Sequence, residues 1–222
     1  MSFKIQLVRS SYLKFEIYTI RYVPLSNNLQ IKTLTGGNIS PYIPSLAQLR
    51  IEIFREYPYL YDGSFKYEQN YLKTYTESPD SLAVIVFDGD EPVGVSTAIP
   101  MDHETEEFKR PFIEQGYNPN NVFYCGESIL KKEYRGKGFY SRFFKEREDH
   151  AKKLGRFDII TFCAVVRPDK HPLKPENYRP LDPIWKKFGY SKHPELTTTY
   201  TWKDINEEKE SPKKMVFWLK WM

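Results

Sequence analysis

The sequence reads Lys131-Lys-Glu-Tyr-Arg-Gly-Lys-Gly-Phe-Tyr-Ser-Arg-Phe-Phe144 where a strand-like segment gives way to a helical one. Residues 122–130, just before it, form an apolar run typical of a buried strand. The residues after it show helical spacing of apolar positions up to Gly155. A glycine-containing turn between a strand and a helix directs unpaired backbone N–H groups at one point, where the helix dipole adds positive potential. Residues 135–138 are therefore predicted to bind a phosphate group.

Two common phosphate-binding motifs do not fit this turn. A P-loop requires Gly-x-x-x-x-Gly-Lys-Ser/Thr, and the spacing here is different. A dinucleotide-binding fingerprint requires a third glycine, and Ser141 occupies its place. A solvated basic turn with no ligand is also compatible with the turn alone.

The run Glu133-Tyr-Arg-Gly-Lys-Gly138 resembles the acetyl-CoA turn of the GNAT N-acetyltransferases, whose pattern is Arg/Gln-x-x-Gly-x-Gly/Ala. Arg135 and Gly138 match its first and fourth positions. Tyr140 departs from the pattern, because a small residue is usual there. Its side chain therefore either crowds the pyrophosphate or points into the helix packing.

Composition limits the classes of function. The chain of 222 residues is long enough for one domain with a sizeable core or for two small ones. Its 33 basic and 29 acidic residues leave a net charge of only +4, which gives no argument for nucleic acid or a membrane as partner. Cys125 and Cys163 each lie in an apolar run, which favours a reducing, cytoplasmic location. The four histidines do not cluster with them, so no metal site is expected.

An RNA-binding module is the rival from another class. Residues 135–143 superficially resemble the RNP1 strand of an RNA-recognition motif. Lys137 replaces an aromatic residue of that motif, and a helical pattern follows where the strand should continue. We therefore expect no nucleic-acid partner.

The order of predicted elements indicates an α/β fold. A strand at 29–34 precedes two helices at 43–54 and 65–77 and a hairpin at 81–99. A helical insert at 104–115 follows, and after the glycine turn and its helix come a strand at 157–166, a short helix at 184–188 and strands at 196–203 and 215–221. This order predicts a mixed, mostly antiparallel sheet with helices on both faces. Residues 1–27 are predicted to be an extension that could form a β-hairpin, and residues 28–222 a single domain.

This order also resembles the GNAT fold from about residue 29 onward. The helix end Lys186-Lys-Phe-Gly-Tyr190 is similar to that family's Lys-x-Gly-Phe ending, and three further runs resemble an uncharacterised bacterial GNAT group. The resemblance implies a transferase that moves an acetyl group from acetyl-CoA to a primary amine by direct attack. A GNAT-fold protein that only binds acyl-CoA, or one that transfers a longer acyl group, remains the alternative.

The resemblance also assigns the co-substrate contacts. Backbone groups of one strand should hold the pantetheine arm, namely those of Ser128, Ile129 and Leu130. The turn and the first helical residues should hold the pyrophosphate, namely Arg135, Gly136, Lys137, Gly138, Phe139, Tyr140 and Ser141.

Two catalytic residues are predicted. Glu127 is the one acidic residue in the apolar strand, and burial would raise its pKa toward the range of a general base. It is equally compatible with a structural role. Many relatives place a glutamate several residues earlier, where Tyr124 stands here, so a bulge would be needed to bring the two positions together. Trp185 occupies the place of the usual tyrosine acid, which leaves Tyr178 as the predicted acid and Cys163 as a second candidate.

The acceptor site is predicted from loops that build it in this fold. They contain Tyr57, Tyr59, Tyr61, Arg167 and Arg179. Aromatic and arginine side chains together suggest a small amine that also carries a carboxylate or phosphate. The same tyrosines are compatible with simple packing. No membrane partner is expected, and the sequence leaves monomer and homodimer open.

Overall fold

The computed structural model describes the backbone of residues 3–10 and 17–24, and all of residues 28–222. Its strands are β1 Phe3–Ser10, β2 Ile17–Pro24, β3 Leu29–Leu34, β4 Leu82–Asp88, β5 Glu91–Pro100, β6 Val122–Leu130, β7 Ile159–Val165, β8 Ser191–Trp202 and β9 Ser211–Trp221. Its α-helices are α1 Ile43–Phe54, α2 Phe65–Glu77, α3 Glu106–Glu114, α4 Phe139–Leu154 and α5 Asp182–Lys187.

Within the described residues, the main sheet has seven strands in the order β3-β4-β5-β6-β7-β9-β8. The β6–β7 pair is parallel, and the other neighbours are antiparallel. Helix α4 is the crossover between the two parallel strands, as a parallel pair requires. The predicted mixed, mostly antiparallel fold is confirmed.

Two apolar clusters lie on opposite faces of the sheet. Alternate strand residues point to opposite faces, so Phe123 and Tyr124 belong to different clusters. Helices α1, α2 and α3 cover one face with residues such as Leu46, Leu72 and Phe112. Helices α4 and α5 cover the other face, where α4 contributes buried phenylalanines. The prediction of helices on both faces is therefore confirmed.

The last two strands begin earlier than their sequence pattern indicates. The β8–β9 register shifts between His193 and Thr197, around Pro194. This irregularity interrupts the alternation of side chains, so the pattern predicts a strand only from residue 196. Strand β9 likewise begins at Ser211 rather than at residue 215.

The N-terminal segment is described only in part. Strands β1 and β2 pair antiparallel, from Phe3 with Pro24 to Ser10 with Ile17. Residues 1–2, 11–16 and 25–27 of the predicted extension lie outside the described residues. The division of the chain between residues 27 and 28 stays a prediction.

A fork in the sheet follows the short parallel pairing. Strands β6 and β7 are paired only over Val122–Tyr124 with Ile159–Thr161, although both strands continue beyond these residues. Strand β6 also contains a bulge, because Thr97 pairs with Glu127 whereas Ile99 pairs with Tyr124. Three residues of β6 therefore span the length of two residues of β5, which brings Glu127 closer along the strand to Tyr124. The catalytic placement of Glu127 stays a prediction.

Candidate functional site

The glycine turn has the backbone geometry of an anion site. Gly136 and Gly138 have φ angles of 75° and 85°, which lie in the left-handed region. Gly138 is the N-cap residue of α4, and no side chain caps this helix end. A Cβ atom at either glycine would meet no protein atom within 4 Å, so the backbone faces open space. The turn can therefore present its N–H groups to a phosphate.

A cleft of about 1370 Å³ extends from this turn into the fork between β6 and β7. Its wall includes Gly136, Gly138 and Ser141 from the turn. The β6 segment from Cys125 to Leu130 forms one side, and β7 with the segment after it forms the other. The predicted pantetheine-binding residues thus share one cleft with the turn.

The side chain of Arg135 fixes the shape of the turn. Its Nε donates a hydrogen bond of 2.9 Å to the carbonyl of Leu130. Its two terminal nitrogens donate to the carboxylate of Glu56 at 3.1 and 3.2 Å. These contacts tie the turn to the end of β6 and to the segment after α1.

Tyr140 points into the packing between α4 and α5. Its ring lies edge-on to Phe144, with centroids 5.2 Å apart. Its hydroxyl accepts a hydrogen bond of 2.9 Å from Nε1 of Trp185. The structure therefore favours the second of the two placements left open by the sequence. The indole of Trp185 also packs against Phe162 and Trp218 in the cleft wall.

Glu127 lies at the deep end of the cleft in a network of buried charges. Its Oε2 accepts a hydrogen bond from Arg50, whose Nε donates to Glu68. Its Oε1 has no hydrogen-bond partner among the described residues. Burial raises the pKa of Glu127, and the positive charge of Arg50 opposes that shift. With both glutamates ionised, the formal charges of the three side chains sum to −1.

A second, smaller pocket lies on the other side of the fork. This inner pocket has a volume of about 190 Å³ and is lined by residues of α1, α2, β8 and the segment between the first two helices. It meets the cleft at four residues that line both, which are Phe54, Tyr59, Gly126 and Cys163. The two spaces therefore adjoin at a junction that includes Gly126, the neighbour of Glu127 in the chain.

The three predicted acceptor tyrosines occupy different places. Tyr57 lines the cleft and packs edge-on against Tyr178, with centroids 4.6 Å apart. Tyr59 lies at the junction, and Tyr61 lines the inner pocket. Tyr178, the predicted acid, lines the same cleft as Glu127. Burial raises the pKa of Tyr178, so its hydroxyl stays protonated at neutral pH.

Arg167 lines the cleft, but its guanidinium is engaged by the protein itself. It forms an ion pair with the carboxylate of Asp204, with oxygens at 2.6 and 2.9 Å. It also donates to the carbonyls of Pro58 and Tyr59. These contacts position the loop that holds Tyr59, and they do not favour the predicted contact with a substrate carboxylate. Arg179 is exposed in the cleft wall.

We expect Arg167→Met to lower the free energy of unfolding by about 3 kcal/mol, because it leaves the nearly buried Asp204 without its main partner. Arg179→Met, at an exposed position, should change it by less than about 0.5 kcal/mol. Urea unfolding of both variants measures these values. Unchanged stability in Arg167→Met, with a raised KM for the acceptor, would instead support the substrate-binding role predicted from the sequence.

A chain of hydrogen bonds leads away from the junction. The hydroxyls of Tyr71 and Tyr75 are 3.0 Å apart, and that of Tyr75 donates to Glu104 at 3.5 Å. A Cβ atom on Gly126 would lie 2.0 Å from the hydroxyl of Tyr75, so glycine is required for this close approach. Burial raises the pKa of Glu104 to about 7. A second titratable carboxyl group therefore lies near Glu127.

Several of these residues were missed from the sequence. Arg50 was not predicted as a site residue, and neither were Glu68, Tyr71 and Tyr75. All three of the latter lie on one face of α2, at spacings of three, four and seven residues. A glutamate on a helix face shared with Leu72 could have indicated a buried charge that needs a partner. The partner itself was not predictable, because Glu127 is 77 residues from Arg50.

The profile of the Acetyltransferase (GNAT) family matches residues 45–173, more than half of the chain. The chain belongs to the GNAT acetyltransferase family. Acetyl-CoA is the co-substrate in this family, so the activity of a GNAT member is transfer of an acetyl group. No curated protein matches the sequence.

Solved structures agree with the GNAT fold. NAA60 from Arabidopsis thaliana, solved in complex with a bisubstrate analogue, is 12% identical with a TM-score of 0.55, over 87% of this chain and 99% of its own. Ribosomal-protein-alanine N-acetyltransferase from Brucella melitensis is 10% identical with a TM-score of 0.56, over 87% and 99%. An acetyltransferase from Thermus thermophilus is 14% identical with a TM-score of 0.50, over 87% and 97%. At these identities the similarity shows the fold alone.

Two kinds of feature are absent from the described part of the chain. No group of three or more histidine, cysteine, aspartate or glutamate side chains is placed to hold a metal ion in residues 28–222. Among the described helices, none is long and apolar enough to cross a membrane.

Proposed function

We propose that this GNAT protein transfers the acetyl group of acetyl-CoA to a primary amine, which attacks the thioester directly. The observation that supports this proposal is the arrangement of the two pockets. The cleft extends from the glycine turn to Glu127, and the inner pocket adjoins it through shared wall residues. The two pockets can thus hold the two substrates side by side.

The cleft fits acetyl-CoA in shape and chemistry. The open backbone of Gly136 and Gly138 suits a pyrophosphate, because two positive φ angles and a free helix N-terminus point N–H groups outward. The edge of β6 beyond Tyr124 is not paired with β7, so backbone groups of residues 128–130 can hydrogen-bond an extended pantetheine arm. The residues proposed for each part of the co-substrate therefore follow one another along the cleft.

Glu127 is the proposed base. The amine arrives as an ammonium ion and must lose a proton before its nitrogen can form a bond to the acetyl carbon. The free Oε1 of Glu127 can accept that proton, while Arg50 holds the other oxygen in place. The new N–C bond replaces the C–S bond of the thioester, and the nitrogen releases its second proton to solvent as the amide forms. The leaving sulfur takes a proton from solvent or from Tyr178.

Tyr178→Phe tests the proposed acid. If the hydroxyl protonates the leaving thiolate, kcat should fall about tenfold, because a thiolate already leaves readily and gains less than the usual factor from an acid. The KM for acetyl-CoA should stay the same. Tyr57→Phe is the matched control, because it also removes one hydroxyl and keeps the ring that packs on Tyr178. This variant should retain kcat. A kcat within a factor of about two in both variants would remove Tyr178 from the mechanism.

A longer acyl group is a second candidate for the donor. Apolar rings of Phe144, Phe162, Trp185 and Trp218 line the cleft on the α4 side of the sheet. A wall of this kind can accommodate methylene groups. Comparison of kcat/KM for acetyl-CoA and butyryl-CoA with one amine decides between the two donors.

The rate of CoA thiol release with and without an amine tests the proposal as a whole. Amine-dependent release supports acetyl transfer, whereas binding of acetyl-CoA without release supports a binding protein. A cytoplasmic location and a small-molecule acceptor, without a nucleic-acid or membrane partner, complete the proposal. The two lone thiols support the location, and the mild net charge gives no argument for a nucleic-acid or membrane partner.

A further inference from the structure

We propose that the acceptor is a small apolar or aromatic primary amine that carries no carboxylate or phosphate. This inference rests on the proposed function and specifies the substrate of the inner pocket. It differs from the expectation drawn from the sequence, in which Arg167 and Arg179 were to bind an anionic group on the acceptor. Neither arginine lines the inner pocket.

Aromatic side chains dominate the wall of the inner pocket. They come from α1, α2, α3, β6, β8 and the loop after α1, and they are Phe54, Tyr59, Tyr61, Tyr67, Tyr71, Phe108, Tyr124, Tyr200 and Trp202. Their ring faces are partially negative, so they attract an ammonium group as well as apolar surface. Burial raises the pKa of Tyr59, Tyr71 and Tyr124, so these hydroxyls remain neutral.

Both cations that line the inner pocket are already paired. Arg50 binds Glu68 and Glu127. Lys203 binds Asp62 at 2.6 Å, and the same carboxylate also accepts from Arg55.

Carboxylates outnumber cations along the wall of the inner pocket, since Glu68, Asp62 and Glu210 line it and the cations are Arg50 and Lys203. An ammonium group would therefore be stabilised here. A carboxylate or phosphate on the acceptor would meet like charges in a largely apolar space.

The dimensions of the pocket suit a small molecule. Its volume of about 190 Å³ is below the roughly 300–1,000 Å³ of pockets that enclose drug-sized ligands. On its solvent side, the hydroxyls of Tyr67 and Tyr200 are hydrogen-bonded at 2.7 Å. At its inner end it reaches Gly126, next to Glu127. Glu127 itself lines the cleft and not the inner pocket, so the nitrogen of an amine in the inner pocket must reach past the shared wall at Gly126 to meet the proposed base.

Matched amines test the inference. We expect kcat/KM for 2-phenylethylamine to exceed that for phenylalanine by about 100-fold, because the second compound adds a carboxylate that faces the acidic wall. Ethanolamine should likewise exceed phosphoethanolamine. Acetyl-CoA concentration is kept saturating, and released thiol and acetylated amine are both measured.

A substitution in the wall of the inner pocket distinguishes recognition of the amine by an aromatic ring from a general effect on folding. Tyr200→Leu keeps an apolar side chain at the mouth but removes the ring, so the KM for 2-phenylethylamine should rise about tenfold. The KM for acetyl-CoA should not change. Tyr117→Leu is the matched control, because Tyr117 packs on Phe112 and Trp221 and lines neither the cleft nor the inner pocket.

The outcomes separate the two proposals. If phenylalanine is acetylated as efficiently as 2-phenylethylamine, the inference about the acceptor is overturned and acetyl transfer stands. If Tyr200→Leu and Tyr117→Leu have the same KM for the amine, the aromatic wall has no part in recognition and the inference is also overturned. If acetyl-CoA binds but no amine of the panel is acetylated, the proposed function itself fails, and the inference fails with it.

Discussion

Gly138→Glu is expected to weaken acetyl-CoA binding at least about 100-fold. The added carboxylate repels the pyrophosphate and also competes with it for the positive potential at the helix N-terminus. The added Cβ would project into the open space of the cleft, where no protein atom lies within 4 Å. The φ angle of 85° would also strain any residue with a side chain. Calorimetric titration of acetyl-CoA measures the loss.

Gly116→Glu is the matched control for this variant. Gly116 has a φ angle of 80°, and a Cβ there would also meet no atom within 4 Å. It lies in the loop after α3 and lines neither the cleft nor the inner pocket. The strain and the added charge are therefore the same in both variants, but only one variant alters the turn. Equal affinity for acetyl-CoA in the two variants would contradict the assignment of the turn.

Glu127→Gln is expected to lower kcat/KM for the amine by about 100- to 1,000-fold at neutral pH, the range typical of a lost general base. Arg50 and Glu68 remain in place, and the amide is close in size to the carboxylate. The KM for acetyl-CoA should change little, because the proposed contacts with the co-substrate are made by backbone groups. Steady-state rates with a saturating donor measure the effect.

The pH dependence gives a sharper criterion. A base works as the carboxylate, so activity should fall as the pH drops through the pKa of Glu127. Burial raises that pKa above the ordinary value of 4.5, which moves the acidic limb of the profile toward neutral pH. The limb should disappear in Glu127→Gln.

Glu104→Gln is the control, because the pKa of Glu104 is raised to about 7 and the group lies at the end of the tyrosine chain. This variant should retain the acidic limb. Loss of the limb in Glu104→Gln, with its retention in Glu127→Gln, would show that the other carboxyl group is the base. Full activity of Glu127→Gln at neutral and high pH would leave Glu127 with a structural role only.

The local elements of this fold were predictable because their patterns are strong. Helix α2 was predicted at residues 65–77 and strand β6 at residues 122–130, and both have these bounds in the structure. Ser78 and Pro79 end the helical pattern abruptly, and Lys131 and Lys132 end the apolar run of the strand. Strand β8 was predicted too short, because the irregularity near Pro194 breaks its alternation.

The candidate site was predictable only where its residues are close in sequence. The turn at residues 135–138 could be inferred because its glycines and its helix are contiguous. The bulge in β6 depends on pairing with β5, and the charge network depends on contacts between α1, α2 and β6. Such long-range contacts leave no local pattern. For the same reason, the partner of Arg167 could not be known, and its charge was interpreted as available to a substrate.

The most direct test of acetyl transfer is a single incubation of the intact chain with acetyl-CoA and 2-phenylethylamine, followed by measurement of both products. We predict thiol release that depends on the amine, one acetylated amine for each thiol, and no acetylated protein intermediate, as direct attack requires. Thiol release that is independent of the amine, or an acetyl group left on the protein, would contradict this account.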